Sequence, residues 1–440
     1  MNLQAAQKFL KENNVKFILA QFVDIHGVAK TKSVPIAHFK TVLNEGAGFA
    51  GFAAWGLGME PHDPDFMAVG DLSSLSLVPW QKGYARIVCD GNVEGKPYPL
   101  DTRVILKNQI AAGKSMGLTF NVGIEPEFML LKRAESGEIS VADPSDQLEK
   151  PCYDYKGLSR SRVFLEQLIA CLQQADFDVY QIDHEDANGQ FEMNWDFSDC
   201  LVTADRHAFF KFMVKSIAEK HSLRATFMPK PFTNLTGNGC HCHISIWDKS
   251  GKKNMFLDKK DELGLSKTGY NFLGGIMESA DKMAAVFNPT VNSYKRINGS
   301  VTTSGATWSP SSITWAGNNR THMVRVPGAG RFELRLMDGA TNPYLLQAGI
   351  LLLGLDGLNN KRDPGKRLDI NMYTEGHKAG KVKKLPLNLL DAIRDFDKSK
   401  IIRAGFGDDL VNSYVKLKNQ DWGTFNKHLS SWERETTLDC

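Results

Sequence analysis

The spacing of hydrophobic residues predicts helices and strands over most of the chain. Residues 3–14 have the pattern of an amphipathic helix, and residues 16–23 and 27–34 have that of two strands joined by a turn. A further strand is predicted at residues 85–91. Residues 45–71 are rich in Gly, Pro and Asp, which is typical of a long loop, here one that ends near a strand.

A short segment rich in Gly and Pro, residues 95–99, separates this region from the rest of the chain. A helix is predicted directly after it, at residues 101–116, with Asp101 as its N-terminal cap. We therefore predict a first domain of residues 1–97 and a second domain of residues 98–440. In the second domain the pattern predicts strands at residues 119–132, 178–184, 189–196, 224–228 and 240–247, and helices at residues 158–175, 202–221 and 268–287.

The composition indicates a globular protein without a strong overall charge. Of the 440 residues 42% are hydrophobic and 23% are charged, and the net charge is +3, which does not favour nucleic acid or a membrane surface as a partner. The longest apolar run, residues 345–358, is interrupted by Asp356 and is shorter than the roughly 20 residues that span a bilayer, so we predict a buried helix. Seven cysteines without a signal-peptide pattern predict reduced thiols and a cytoplasmic location.

Two glutamates in the segment GIEPEF share one face of a predicted strand. Glu125 and Glu127 are two residues apart, and side chains at that spacing point the same way. Two buried like charges repel strongly unless a cation lies between them. A solvated pair on an exposed edge is the alternative, which Pro126 would permit. The apolar flanking residues favour the metal site.

The segment CHCHIS alternates in the same way. His241, His243 and Ser245 share one face, and Cys240 and Cys242 share the other. Because the alternation separates cysteines from histidines, it does not favour a zinc site. The histidines are candidate partners of the carboxylates, with a purely structural role equally open, and the cysteines are predicted to lie in the core.

Two further segments add carboxylates and arginines. Arg331, Glu333 and Arg335 share a strand face, although an ion-pair ladder on a wet face would explain this segment by itself. Glu185 and Glu192 flank a predicted turn and a short strand, which alone is a weak signal.

Three arginines, Arg296, Arg320 and Arg325, bracket residues 297–319, which are dense in Ser, Thr, Gly and Asn. A polar stretch of that length inside a compact domain is usually functional. Carboxylates with an occasional imidazole suit Mg²⁺ or Mn²⁺, and interleaved arginines suit a phosphate or carboxylate. The combination predicts phosphoryl transfer with metal ions on a nucleotide.

Taken together and in this order, the segments resemble the glutamine synthetase family; the matching text is GIEPEF, HEDANGQFE, MPKPFTNLTGNGCHCHIS, NPTVNSYKR, NNRTHMVRVP and RFELRLMDGATNPYL. The resemblance spans nearly the whole chain. It implies an α+β fold, in which an N-terminal β-grasp domain precedes a catalytic domain with a curved antiparallel sheet flanked by helices.

The resemblance also implies a reaction and an assembly. Family members transfer the γ-phosphoryl group of ATP to the side-chain carboxylate of L-glutamate, and an amine then displaces phosphate from the γ-glutamyl phosphate. They stack two hexameric rings into a dodecamer, with active sites between neighbouring subunits. We therefore expect a homo-oligomer that uses ATP with two or three Mg²⁺ or Mn²⁺ ions per site.

The resemblance implies a role for each matching residue. One metal ion, next to the glutamate and the amine, would be held by Glu127, Glu185 and Glu192. The other, on the ATP phosphates, would be held by Glu125, His241 and Glu333. The glutamate would be bound by Arg296, Arg335 and Gly237, with Arg335 also on its reacting carboxylate. The ATP would be bound by His243, Ser245, Arg325 and Arg331, with Arg320 on the transferring phosphoryl group.

The departures from the family pattern concern the amine. Ammonia-using members carry an aspartate where this chain has Ala50, and a glutamate in a loop that is here about six residues longer and has Trp308 at that place. Asp65 fits another family aspartate at the amine site, and Thr236 replaces an asparagine near the glutamate α-groups. Tyr373 falls near a tyrosine that is adenylylated in some members, but the surrounding text differs, so we do not predict that control.

These departures predict a ligase that joins the γ-carboxylate of glutamate to a small alkylamine such as methylamine or ethylamine, with Trp308 as part of the amine pocket. The text most resembles family members that act on methylamine. A glutamine synthetase that uses ammonia and a glutamate–polyamine ligase are the alternatives. A non-catalytic, ring-forming relative is disfavoured because all six metal-ligand positions match in type.

Overall fold

The N-terminal part of the molecule is a small sheet with helices, seen in a computed structural model that describes residues 1–440. Its elements are α1 (Leu3–Glu12), β1 (Phe17–Val23), β2 (Ala29–Pro35), α2 (Phe39–Asn44), β3 (Ala47–Phe49), β4 (Phe66–Gly70), β5 (Ser76–Leu77), β6 (Tyr84–Val93) and β7 (Lys96–Pro97). Their central order is β2-β1-β6-β4-β3, with β1 parallel to β6 and the other neighbours antiparallel.

The predicted hairpin of β1 and β2 is confirmed, with Asp24 organising its turn. One carboxylate oxygen of Asp24 accepts hydrogen bonds from the backbone N–H groups of His26 and Val28, both at 3.0 Å. Gly27 has a φ of 81°, a conformation that glycine adopts without strain. The prediction of a loop over residues 45–71 is wrong at its two ends, where β3 and β4 form, and correct between them apart from one 3₁₀ turn. β3 was missed because three residues are too few for an alternating pattern to reveal a strand.

The second sheet carries the chemistry. Its strands are β8 (Leu118–Arg133), β9 (Ile139–Val141), β10 (Val179–His184), β11 (Gln190–Trp195), β12 (Ser198–Asp199), β13 (Arg224–Thr226), β14 (Cys240–Asp248), β15 (Trp315–Ala316), β16 (Val324–Gly328) and β17 (Arg331–Leu334). Along its main path the order is β10-β11-β8-β14-β17-β16-β15. All pairs are antiparallel except β15 with β16, so the predicted antiparallel sheet has one parallel pair at this edge. A two-residue strand at the end of a polar segment has no pattern from which its direction follows.

Helices cover this sheet. They are α3 (Thr102–Ser115), α4 (Tyr155–Arg160), α5 (Arg162–Gln174), α6 (Cys200–Lys220), α7 (Lys267–Phe287), α8 (Ser293–Ile297), α9 (Pro343–Asn359), α10 (Met372–Glu375), α11 (Leu389–Lys398), α12 (Lys400–Phe406), α13 (Asp408–Lys427) and α14 (Ser431–Thr437). The single helix predicted at residues 158–175 is two helices, because Ser161 leaves the helical conformation between them. No helix has both the length and the apolar content to cross a membrane.

The apolar run at residues 345–358 is a buried helix, as predicted. It forms α9, which begins at the capping residue Asn342 and crosses α7 at very short range. A Cβ atom on Gly275 of α7 would lie 2.0 Å from the carbonyl oxygen of Leu353, so the two helices can approach this closely only because that residue is glycine.

Two hydrophobic cores accompany the two sheets. The smaller contains 16 buried residues, all between residues 6 and 89, and the larger contains 79, mostly in the second part of the chain. Asp101 caps α3, as predicted, by accepting a hydrogen bond of 2.8 Å from the backbone N–H of Val104. The separation of the sheets supports a boundary after residue 97, which stays a prediction.

A buried arginine connects the two parts of the molecule. Arg103 on α3 forms ion pairs with Asp71 at 2.8 Å and Asp90 at 2.6 Å, both in the N-terminal part. It also binds Asp205 on α6 at 2.9 Å, and Asp205 accepts a hydrogen bond of 2.8 Å from the hydroxyl of Tyr344 on α9. Removing one member of such a group leaves the remaining buried charges uncompensated.

We expect Arg103→Leu to lower the free energy of unfolding by roughly 3–5 kcal/mol, because three carboxylates then lose their shared cation. Urea unfolding followed by circular dichroism measures the change. Arg394→Leu is the control, since Arg394 is exposed and pairs only with Asp391 on its own helix. Equal unfolding midpoints for the two variants would contradict the assignment.

Candidate active site

Strand register brings the predicted site residues together. On β8 and β14, Glu125 lies opposite His241, and on β14 and β17, His243 lies opposite Glu333. Alternation along each strand then directs these side chains to the same face of the sheet. Glu127, two residues further along β8, lies opposite Glu192 on β11. Four strands therefore supply one cluster of carboxylates and imidazoles.

His241 occupies the centre of this cluster. Its Nδ1 atom is 3.7 Å from a carboxylate oxygen of Glu125 and 3.7 Å from one of Glu333, and its Nε2 atom is 3.8 Å from Glu127. The Nε2 atom is buried and has no hydrogen-bond partner. A buried polar atom without a partner is costly, so this arrangement fits a cation between the groups better than direct pairing.

The carboxylates of the cluster need positive charge. Burial, with the charge of Glu127, raises the pKa of Glu185 to about 8. Burial and the charge of Glu125 raise the pKa of Glu192 well above its usual range. Burial opposes ionisation of Glu333 too, but the nearby charges of Arg335, His241 and His243 together outweigh it and lower the pKa of Glu333 to about 2. A divalent cation would restore the ionised forms of Glu185 and Glu192.

All six predicted metal ligands lie in this cluster. Their ligand atoms do not, however, form the two sets of three residues that were predicted to hold one ion each. Three groups have ligand atoms within 4.8 Å of one another, and they are Glu125 with Glu192 and His241, Glu125 with His243 and Glu333, and Asp183 with Glu185 and Glu192. Which residues share an ion stays a prediction. Asp183 was missed, although its position two residues before Glu185 is the same alternation signal that identified Glu125 and Glu127.

Glu127 is held in a fixed position. One of its oxygens accepts hydrogen bonds from the backbone N–H of Gly239 at 2.7 Å and from the side-chain amide of Gln190 at 2.9 Å. Gln190 also donates to the side chain of Asn238 at 3.0 Å. The second oxygen of Glu127, which faces His241, stays available to a cation.

Gly239 keeps a space open between the cluster and Arg296. A Cβ atom there would lie 2.8 Å from Nε2 of His241, 2.9 Å from a guanidinium nitrogen of Arg296 and 2.9 Å from Glu127. Any side chain would therefore fill this space. Gly237 is equally confined, since its Cβ would lie 2.1 Å from the carbonyl oxygen of Pro229. The resemblance implied a role for Gly237 in this turn but not for Gly239.

Buried arginines border the cluster. Arg335 donates to Glu333 at 2.6 Å, and Arg325 donates to the other oxygen of Glu333 at 2.9 Å. Arg296 is buried and donates to the carbonyl oxygen of Leu336 at 3.1 Å. Arg320 is exposed and lies near enough to Arg325 for its charge to lower the pKa of that residue, after the larger effect of burial. The group offers several guanidinium N–H donors to an anion.

A cavity adjoins the cluster on the side of Glu125. Its lining includes Tyr180, His243, Ser245, Trp247 and Arg331. A guanidinium nitrogen of Arg331 lies 3.0 Å from Nδ1 of His243, and the indole N–H of Trp247 donates to Ser245 at 2.9 Å. Aromatic side chains on one side and a cation on the other can bind a planar, phosphorylated ligand.

The polar segment 297–319 lies against the site. The hydroxyl of Ser309 donates to the carbonyl oxygen of Arg296 at 2.7 Å. Trp308 has a φ of 53°, which costs a non-glycine residue of order 1–3 kcal/mol, and its indole N–H is buried without a partner. Such strain persists only where surrounding contacts hold the backbone, so contacts such as that of Ser309 with Arg296 maintain the loop conformation.

Two residues predicted to act on the amine lie elsewhere. Asp65 is exposed directly before β4, beside Gly48, and Ala50 is exposed at the start of a single 3₁₀ turn. Neither lines the cavity or belongs to the metal-ligand groups of its own chain.

Known proteins match this geometry over the full chain. The family model described as glutamine synthetase, catalytic domain, matches residues 99–437. A glutamate–methylamine ligase of Methyloversatilis universalis is 52% identical over 445 residues, covering 100% of both chains. A glutamine synthetase of Rhizobium meliloti is 51% identical over 431 residues, covering 98% of both chains.

Solved structures agree. One described as a GmaS/ADP complex superimposes with a TM-score of 0.94 at 50% identity, covering 98% of this chain and 99% of the other. A structure of GmaS without ligand gives a TM-score of 0.92 at 48% identity, with the same coverage. The carboxylate cluster, the arginines beside it and these full-length matches lead to one conclusion: the chain belongs to the glutamine synthetase family.

Proposed function

We propose that this protein is an ATP-dependent ligase that joins the γ-carboxylate of L-glutamate to a small alkylamine such as methylamine or ethylamine. The products are a γ-glutamylalkylamide, ADP and phosphate. The observation that carries the proposal is the convergence of the six candidate metal ligands in one cluster, next to buried arginines and an aromatic cavity. The full-length similarity to a glutamate–methylamine ligase supports it.

The anionic substrates are bound by the arginines. Arg296 and Arg335 bind glutamate, and Arg335 holds the reacting carboxylate with its guanidinium next to Glu333. Gly237 meets the α-groups of glutamate. Arg320 stabilises the phosphoryl group during transfer, where charge spreads over its three equatorial oxygens.

ATP occupies the cavity beside Glu125. His243 and Ser245 lie along the nucleotide, and Arg325 and Arg331 bind its phosphates. Mg²⁺ or Mn²⁺, held by Glu127, Glu185 and Glu192 and by Glu125, His241 and Glu333, would neutralise charge on the phosphates when bound. The oxygen-rich donor set suits these hard cations.

The amine selectivity follows from the wall of its pocket. Ala50 and Trp308 take the place of two acidic residues that would hold ammonium. An apolar wall favours a methyl group by about 0.8 kcal/mol for each buried carbon, or roughly fourfold.

Glutamine synthesis from ammonia is the second candidate, since a relative named glutamine synthetase is 51% identical over 98% of the chain.

The active unit is a ring assembly, proposed as a dodecamer of two hexameric rings, located in the cytoplasm. Asp65 and Ala50 then complete the site of a neighbouring subunit, because both are exposed and neither lines the cavity or belongs to the metal-ligand groups of its own chain. Asp65 is the candidate for taking a proton from the alkylammonium ion.

We expect Glu127→Ala and Glu333→Ala each to reduce glutamate-dependent phosphate release by at least roughly 100-fold, because each removes a ligand and leaves like charges less neutralised. Steady-state kinetics over a range of Mg²⁺ concentrations measures this. Glu138→Ala, which changes an exposed glutamate at the surface, is the control. Near wild-type turnover of either site variant at micromolar Mg²⁺ would refute the metal assignment.

We expect Arg320→Ala to lower kcat by roughly 10³–10⁵ with little change in the KM for ATP, because the side chain acts on charge that develops during transfer. Rapid-quench measurement of γ-glutamyl phosphate formation separates this step from binding. Arg394→Ala is the matched surface control. Weaker ATP binding with kcat unchanged would assign Arg320 to the nucleotide instead.

We expect a higher kcat/KM for methylamine and ethylamine than for ammonia at equal total concentration. Amide formation should be assayed with ammonia, methylamine, ethylamine and putrescine. Trp308→Glu, alone and with Ala50→Asp, should shift the preference towards ammonia, and Trp308→Phe should retain the alkylamine preference. A wild-type enzyme that prefers ammonia would make the second candidate correct.

A further inference from the structure

Asp186 lies where two separate segments meet. One of its carboxylate oxygens accepts a hydrogen bond of 2.6 Å from the hydroxyl of Thr236, in the turn before β14. The same oxygen accepts a short hydrogen bond from the hydroxyl of Ser304, in the polar segment 297–319. All three residues are more than nine-tenths buried. Hydrogen bonds to an ionised acceptor out of contact with water are among the stronger ones in proteins.

The loop around Ser304 has its own internal support. The hydroxyl of Thr302 donates to the carbonyl oxygen of Ala306 at 2.6 Å and lies 3.1 Å from the hydroxyl of Ser304. The backbone N–H of Thr303 donates to the carbonyl oxygen of Asn234 at 3.0 Å. Residues 302–306 therefore form a compact turn, and the Asp186 carboxylate is the only charged group that binds it.

This turn immediately precedes Trp308. One residue, Thr307, lies between Ala306 and Trp308, whose backbone is strained and whose indole N–H has no partner. On the other side, Ser309 is bound to the carbonyl oxygen of Arg296. Trp308 therefore lies between two hydrogen bonds, one from Ser304 to Asp186 and one from Ser309 to the carbonyl oxygen of Arg296. The loss of either hydrogen bond would release Trp308.

We infer that Asp186 is a positioning residue that holds the loop of residues 302–309 closed over the acyl phosphate. Asp186 directly follows Glu185, a candidate metal ligand, and its backbone N–H donates to that carboxylate at 3.1 Å. Asp186 therefore connects Glu185 with the loop that carries Trp308, the proposed wall of the amine pocket. The inference rests on the proposed ligase function and adds a residue to it.

A closed loop has a chemical consequence, because water competes with the amine. If water enters, its oxygen bonds to the carbonyl carbon of the acyl phosphate, the bond from that carbon to the bridging phosphate oxygen breaks, and a proton passes to solvent. Glutamate and phosphate result, so ATP is consumed without amide. Loops that close over reactive intermediates prevent such hydrolysis.

The test compares amide formed with phosphate released for four variants. Ser304→Ala removes only the loop hydroxyl, and Asp186→Ala removes the acceptor. Asp186→Asn is the conservative rescue, because both hydroxyls donate to one oxygen that an amide carbonyl can replace. Thr303→Ala is the control, since it removes an exposed hydroxyl from the same turn.

We expect Ser304→Ala and Asp186→Ala to raise the KM for methylamine by roughly 10-fold or more and to lower the ratio of amide to phosphate below that of the wild type. Asp186→Asn and Thr303→Ala should keep the wild-type ratio. Ser304→Ala should also keep the wild-type Mg²⁺ dependence, which a disturbed metal site would change.

An unchanged ratio of amide to phosphate and an unchanged KM for methylamine in Ser304→Ala would overturn the inference. Because this variant removes a single oxygen, it tests the inference even if Asp186→Ala fails to fold. A lower ratio of amide to phosphate in Thr303→Ala would overturn the inference too, since any change in the loop would then be enough to lower this ratio. A wild-type protein that forms no amide with any amine would instead refute the proposed function, and the inference with it.

Discussion

The repulsion between buried carboxylates is the constraint on which the site depends. Strand pairing places Glu125, Glu127, Glu192 and Glu333 around His241, where burial makes their shared negative charge unfavourable. The sheet tolerates this arrangement only because positive charge is supplied, in part by Arg325 and Arg335 and in the remainder by cations. The same need that makes the cluster costly to fold makes it a candidate site for metal ions.

Hydrogen bonds and close packing hold the side chains of the cluster in place. Gly239 and Gln190 fix Glu127 through hydrogen bonds, and the absence of a side chain at Gly239 keeps the space towards Arg296 open. Outside the site, Arg103 repeats the principle, with one buried cation shared by three carboxylates from both parts of the chain. Compensated charge thus occurs twice, once in the candidate site and once between the two sheets.

The departure from ammonia-using relatives is concentrated in a loop and not in the sheet. Trp308 is strained and its indole N–H is unpaired, so its position depends on neighbours such as Ser304 and Ser309. A family can therefore change its amine substrate by altering a loop and its anchors while the metal cluster stays constant.

The sequence by itself determined the local content of the site. Alternation along a strand has a period of two residues, so the shared face of Glu125 with Glu127, and of His241 with His243, could be predicted without knowing any neighbour. The resemblance to a family then assembled these segments. The cap at Asp101 and the buried helix α9 were equally local and were predicted correctly.

Only the tertiary structure decided which strands are neighbours, and with them the partners of each side chain. The contacts of Glu127 with Gln190 and Gly239, and of Asp186 with Ser304, join residues tens to more than a hundred positions apart. The parallel pairing of β15 and the separation of Asp65 from the cluster are likewise long-range. Such contacts depend on how loops close and sheets pair, for which a residue's immediate sequence carries no periodic signal.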